Sequence, residues 1–333
     1  MSELIPPFHW HTFLFSPWND PLIATSNFWI VLMGFMVATA CGLVGNYLIV
    51  RRMALVGDAI SHSVLPGIAI AFLVSQTRGS TAMFIGALIA GIVTTIIIEV
   101  IHKKTRVKQD AAIGIAFTSL FAIGVILISL FAAQIDLDQE CVLYGEIGYI
   151  GPEALAGEHT RIFGIPLGPI TVARMILVTI ATCVLIALFY KELLVSSFDP
   201  GLASSLGINA TMVHYGLMSW LSVVVVSSFE SVGAILVIGM LILPGATAAL
   251  LTARFPRILL LTVLNAALSS LGGVHLATWL NCSPAGAMVV MASLLFSAAW
   301  IFSPHDGLIR RWYYMRGAGT SEPSEATVEL TSK

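Results

Sequence analysis

Hydrophobic positions in this 333-residue chain continue for about twenty residues at a stretch, without the alternation of a half-buried strand or the single apolar stripe of a surface helix. A helix of about 20 residues, rising 1.5 Å per residue, crosses the roughly 30 Å hydrocarbon core of a bilayer. About nine runs of that length are legible, over residues 27–50, 53–75, 80–101, 111–133, 170–190, 212–229, 232–252, 257–277 and 284–303. Gly, Pro, Ser, Asn and charged residues collect between them, as connections require. The predicted fold is therefore all-α, a polytopic transmembrane helical bundle. Only Phe229, Glu230 and Ser231 separate the sixth and seventh runs, so a tight turn and a broken helix both fit there.

The charges between the runs orient the bundle. Arg51 and Arg52 follow the first run, Lys103, Lys104, Arg106 and Lys108 the third, Lys191 the fifth, Arg254 and Arg257 the seventh, and Arg310, Arg311 and Arg316 the ninth. Basic residues favour the cytoplasmic side, so the N-terminus is expected outside and the C-terminus in the cytoplasm. Residues 1–26, rich in Trp, Phe, Pro and His, are expected to form an external interfacial leader. They lack the basic start and small-residue cleavage site of a secretory signal. Residues 27–303 form the transmembrane domain, with a long outer loop at 134–169 and a cytoplasmic segment at 197–210. Residues 304–333 give a basic anchor, RRWYYMR, and a polar tail expected to be disordered. The outer loop carries Asp136, Asp138, Glu140, Glu146, Glu153 and Glu158 against Arg161. Two readings stand for it, a cation-concentrating mouth and a solvated loop. Cys141 and Cys282 face the same compartment in this topology, and sequence supplies no geometry for a disulfide between them.

Composition agrees: 57% of residues are hydrophobic and 10% charged, and mean hydropathy is +0.93, whereas about 25% of a soluble domain is charged. The net charge of −2 is scattered over short loops and forms no nucleic-acid patch. The four cysteines show no metal-finger spacing. No GxxxxGKS/T phosphate loop, GxSxG elbow or HExxH helix occurs, so neither ATP hydrolysis nor other enzymatic chemistry is expected of this chain.

The stretch RRMALVGDAISHSVLPG, residues 51–67, is the chemical exception inside an apolar run. An ionised carboxylate in mid-span costs about 2.5–3.5 kcal/mol on insertion scales, so Asp58 needs a polar partner. His62, four residues on, shares its helical face, and Ser61 adds a hydroxyl. Carboxylate plus imidazole suits manganese, iron(II) or zinc better than sodium, potassium or calcium. Gly34, Ala38, Gly42 and Asn46 recur every fourth position, permitting close helix approach and turning Asn46 inward. Asn46 is read first as an interhelical hydrogen-bonding residue and second as a pathway residue. Glu99, at the end of its run, reads as interfacial. Pro244 and Gly245 mark a kink or a broken, pathway-lining helix. Glu230 and His275, near outer ends, read as interfacial groups or parts of an outer gate.

Three blocks carry a resemblance: GLVGNYLIVRRMALVGDAISHSVLPGIAIAF (42–72), SFDPGLASSLGI (197–208), and VGAILVIGMLILPGATAALLT (232–252) leading to SPAGAMVV (283–290). Together, and in this order, they resemble the integral-membrane permeases of ATP-binding-cassette importers for manganese, zinc and iron. The resemblance implies a bacterial inner-membrane permease with no permanently bound cofactor and a divalent metal as cargo. It further implies three kinds of protein partner: an extracytoplasmic metal-binding protein, a second copy or a related permease, and a cytoplasmic ATP-binding subunit. The family's GDxxSH metal ligands fall on Asp58 and His62. Its ATPase-coupling helix falls on Asp199, Pro200, Ala203 and Gly207, a segment that alone reads as a plain loop helix. A secondary, proton-coupled metal transporter is the alternative, and a membrane scaffold without transport a third reading.

Overall fold

The computed structural model describes residues 9–75, 80–131, 147–155, 161–162, 165–166, 169–303 and 307. In chain order the helices are α1 (Trp10–Phe15), α2 (Pro21–Val50), α3 (Val56–Ser63), α4 (Leu65–Ser75), α5 (Ser80–Lys104), α6 (Gln109–Phe131) and α7 (Ile147–Leu155). They continue with α8 (Ile170–Leu188), α9 (Tyr190–Phe198), α10 (Pro200–Ser205), α11 (Ala210–Leu251), α12 (Phe255–Leu280) and α13 (Pro284–Phe302). Two dipeptides, Arg161–Ile162 and Ile165–Pro166, pair antiparallel. Among the described residues eight helical stretches are long and apolar enough to span a membrane, and Leu236–Leu251 is a shorter ninth. The chain is a polytopic helical bundle, as its hydrophobic pattern predicts.

Element ends follow local chemistry. The Asp20 carboxylate accepts from the Leu22 amide at 2.9 Å and Pro21 takes the first helical position. Both favour helix initiation, so α2 starts six residues before the apolar run does. The second span, 56–75, is divided at Val64. Pro66 lacks the N–H that would meet the carbonyl of His62, which explains the division.

Small residues set the packing. α2, α11, α12 and α13 form one tightly packed group, and α3 to α6 a second that meets it through α11. A Cβ on Gly45 would overlap the Leu241 carbonyl of α11, one on Gly42 would reach Thr262 of α12, and one on Gly34 would reach Met288 of α13. The Gly34–Asn46 stripe thus lies in the heart of the first group, against three helices.

α11 is not one straight rod. Gly233 has φ 77° and ψ 169°, a region open in practice only to glycine. On one side of it the Ser228 hydroxyl lies 3.6 Å from Cys41. On the other, Gly45 and Gly42 touch Leu241 and Pro244. Since residues 228 and 244 would stand about 24 Å apart along a straight helix, the chain doubles back at Gly233. The break expected at 229–231 therefore falls two residues later, where the backbone tolerates it.

The leader and the outer loop are partly built in. Trp18 Nε1 donates to His275 Nε2 at 3.4 Å, so His275 Nδ1 carries the hydrogen it donates to the Phe13 carbonyl at 3.0 Å. This places α1 on α12. In α7, Ile147 and Ile150 are buried, and a Cβ on Gly151 would overlap Ser26 of α2. Cys282 is a free, exposed thiol. Cys141, most acidic residues of the loop, and the basic anchor and tail beyond 307 lie outside the described residues.

Candidate metal site

α2 ends with Arg52 in the left-handed region, φ 59°, and two closing bonds, Arg52 N to Ile49 O and Met53 N to Leu48 O, satisfy its last carbonyls. The next turn opens α3 and delivers Asp58. His62 follows one turn on, with Nε2 3.4 Å from Asp58 Oδ1. The two side chains retain 40% and 30% of their exposure, so one side of the pair is open in a single chain. On the other, the imidazole lies 5.7 Å from the Phe117 ring and meets Phe121 edge-on at 6.1 Å, both on α6. Gly57 fits against Leu241, fixing the opposite face of α3 to α11.

The donor set is short. Ser61 is buried and its hydroxyl donates to the Gly57 carbonyl at 3.1 Å. Among the described residues no group of three or more His, Cys, Asp or Glu assembles that could hold a metal. A closed zinc site takes four ligands, so Asp58 and His62 offer half of one. The His62 carbonyl, left without a helical donor by Pro66, is a further oxygen in the same segment.

The remaining candidates fall elsewhere. Asn46 is buried and donates to the Gly42 carbonyl at 2.9 Å and to Thr262 Oγ1 at 3.0 Å, which is the interhelical geometry. Pro244 and Gly245 pack against Gly42 and Asn46 of α2. Glu230 lies in α11 just before the turn, and its side chain lies outside the described residues. Asp199 caps α10, its Oδ1 accepting from the amides of Gly201 and Leu202 at 2.9 and 3.0 Å, with Pro200 first in the helix. Ala203 is fully buried. Gly207, φ 79°, closes the segment, with Ile208 N on Ala203 O and Gly207 N on Ser204 O. Phe198, Leu202 and Leu206 remain 63%, 50% and 62% exposed among the described residues, an apolar face that the edge-on Phe255 ring, 6.0 Å from that of Phe198, touches at one end.

Sequence reasoning missed a polar network at the basic end of the bundle. Arg51 donates through Nε to Ser197 Oγ at 2.9 Å and through Nη2 to Ser196 Oγ at 3.0 Å, both on α9. Its Nη1 lies 2.9 Å from His214 Nδ1 on α11. A guanidinium can only donate, so His214 Nδ1 accepts and Nε2 carries the hydrogen directed at Glu99 Oε2, 3.1 Å away on α5. Lys103 completes the set, 2.7 Å from Glu99 Oε1. Glu99 is 6% exposed and thus buried and doubly paired, not interfacial. Burial draws the Arg51 pKa below its ordinary value. The available signal was topological: residues 51, 99 and 214 border three different runs at one end of the bundle.

A family model described as "ABC 3 transport family" matches residues 25–303. The manganese transport system membrane protein MntD of Bacillus subtilis (strain 168) is 44% identical over 283 residues, covering 85% of this chain and 94% of that protein. The zinc transport system membrane protein TroD of Treponema pallidum (strain Nichols) is 43% identical over 287 residues, covering 86% and 77% respectively. Among solved structures, PsaBC from Streptococcus pneumoniae in complex with Fab superposes with a TM-score of 0.70 at 30% identity, covering 91% of this chain and 98% of the other.

Proposed function

Because the chain belongs to the ABC 3 transport family, we propose that it is the membrane permease of an ATP-driven importer of divalent transition-metal ions. Manganese or zinc is the cargo, and iron(II) shares the ligand chemistry. The observation that carries this reading is the Asp58–His62 pair, 3.4 Å apart on one face of an apolar span. Relatives named for manganese and zinc transport support it.

The shortness of the donor set suits passage. Two side chains bind a divalent ion weakly enough to release it, whereas a full cage would trap the cargo. The open side of the pair is where a second permease, a copy or a related chain, closes the pathway. An extracytoplasmic binding protein delivers the ion. The basic end faces the cytoplasm of a bacterial cell, across its inner membrane. There α10, capped by Asp199 and followed by Gly207, presents Leu202 and the flanking Phe198 and Leu206 to a separate ATP-binding subunit that performs the hydrolysis.

The test is reconstitution into liposomes with and without the cognate ATPase. ATP-dependent manganese or zinc movement that needs both chains is the expected result. Uptake by this chain alone, driven by an imposed proton gradient, would replace the proposal with a secondary transporter.

A further inference from the structure

Resting on the proposed importer, we propose that Arg51 is a positioning residue that ties the ATPase-docking segment to both ends of the metal-bearing helix α3. Two short physical routes leave its guanidinium. The first is covalent on one side. Ser196 and Ser197, which Arg51 holds, stand three and two residues before Asp199, the cap of α10. On the other side the Arg51 backbone enters the turn through Arg52, φ 59°, and α3 begins at Val56. A non-glycine residue held in the left-handed region resists relaxation only where its surroundings fix it. Displacement of α9 and α10 is thereby passed to the start of α3, two residues before Asp58.

The second route runs through side chains. Arg51 binds His214, His214 binds Glu99, and Glu99 lies on α5. Five residues earlier on α5, Thr94 donates to Ser63 Oγ at 2.7 Å, and Ser63 is the neighbour of His62. In both routes the steps between elements are part-buried or buried hydrogen bonds, strong and directional there, and the remaining steps run along the backbone. Arg51 alone belongs to both. Lysine cannot replace it, because one ammonium does not reproduce three directed donors spread over two helices.

The experiment measures metal ions transported per ATP hydrolysed, in liposomes holding the permease with its ATPase. This ratio does not depend on how much protein folds, so a purely structural defect leaves it unchanged. Arg51→Ala is expected to lower the ratio at least tenfold while ATP hydrolysis continues, and Arg51→Lys to fall with it. If Arg51→Ala does not assemble, His214→Ala decides. It breaks the second route while Glu99 keeps Lys103, and a fall of at least threefold is expected. A wild-type ratio in whichever of Arg51→Ala and His214→Ala assembles overturns the inference. Absence of ATP-dependent transport in the wild-type protein would instead overturn the importer reading itself.

Discussion

Asn46 and Thr262, 216 positions apart in the chain, are joined by a 3.0 Å hydrogen bond across the contact of α2 with α12. Such a bond within a membrane protein contributes about 0.6 kcal/mol on average and up to about 1.7. Thr262→Val should lower the thermal stability of the purified permease by an amount in that range and leave uptake per folded molecule unchanged. A selective loss of uptake at normal stability would instead place Asn46 in the pathway.

Replacing either ligand should abolish transport without disturbing the fold. Asp58→Ala and His62→Ala are each expected to reduce manganese or zinc uptake at least tenfold at equal membrane abundance, because both side chains are part-exposed and the loss in His62→Ala of one ring contact face, on Phe117 and Phe121, opens onto that exposed side and leaves no closed void. Uptake of radiolabelled metal in cells lacking other importers measures this. Wild-type uptake in both variants would remove the pair from the mechanism.

Binding should weaken in acid. Ligation requires His62 without its proton, so protonation competes with metal and the apparent dissociation constant rises as pH falls, by at most tenfold per unit for one displaced proton. Calorimetric titration of the purified permease at several pH values gives the slope. His62→Ala should bind more weakly and lose this dependence, and pH-independent binding in the unmodified protein would contradict His62 as a ligand.

Charge on the exposed face of the proposed docking segment should separate the two subunits. Leu202→Glu together with Leu206→Glu changes two side chains that are already 50% and 62% exposed, so the permease itself should fold. Affinity for the ATP-binding chain in detergent is expected to fall at least tenfold, with metal affinity unaltered. Gly207→Ala should cost about 1 kcal/mol of segment stability, since its φ of 79° is strained for any residue with a Cβ. Retention of full ATPase affinity by the double variant would move the docking surface elsewhere.

The spans were legible because membrane burial writes itself into long apolar runs, and Asp58 and His62 because ionisable groups stand out there. The stripe from Gly34 to Asn46 announced close packing for the same reason: glycine and alanine every fourth position have few other uses in a span. The doubling-back of α11 at Gly233 was half legible, since the apolar runs bracket it but give no backbone angle. The network of Arg51, His214 and Glu99 was not legible as a unit. Its members are separated by 48 and 115 positions. Each alone looks like an ordinary charge at a membrane border. The docking of α1 on α12 through His275 was hidden likewise, because it depends on where two distant segments meet.

Gly67 of α4 and Gly86 of α5 face each other so closely that a Cβ on either would collide with the backbone carbonyl of the other. Side chains elsewhere act as compliant spacers, able to change rotamer when helices shift. Here there are none, and α4 and α5 meet main chain to main chain. The two helices therefore behave as one stiff bar with no play at its joint. A tilt applied at the Glu99 end of α5 would turn α4 with it and carry the adjoining α3, with Asp58 and His62, by leverage, without any rearrangement of that pair.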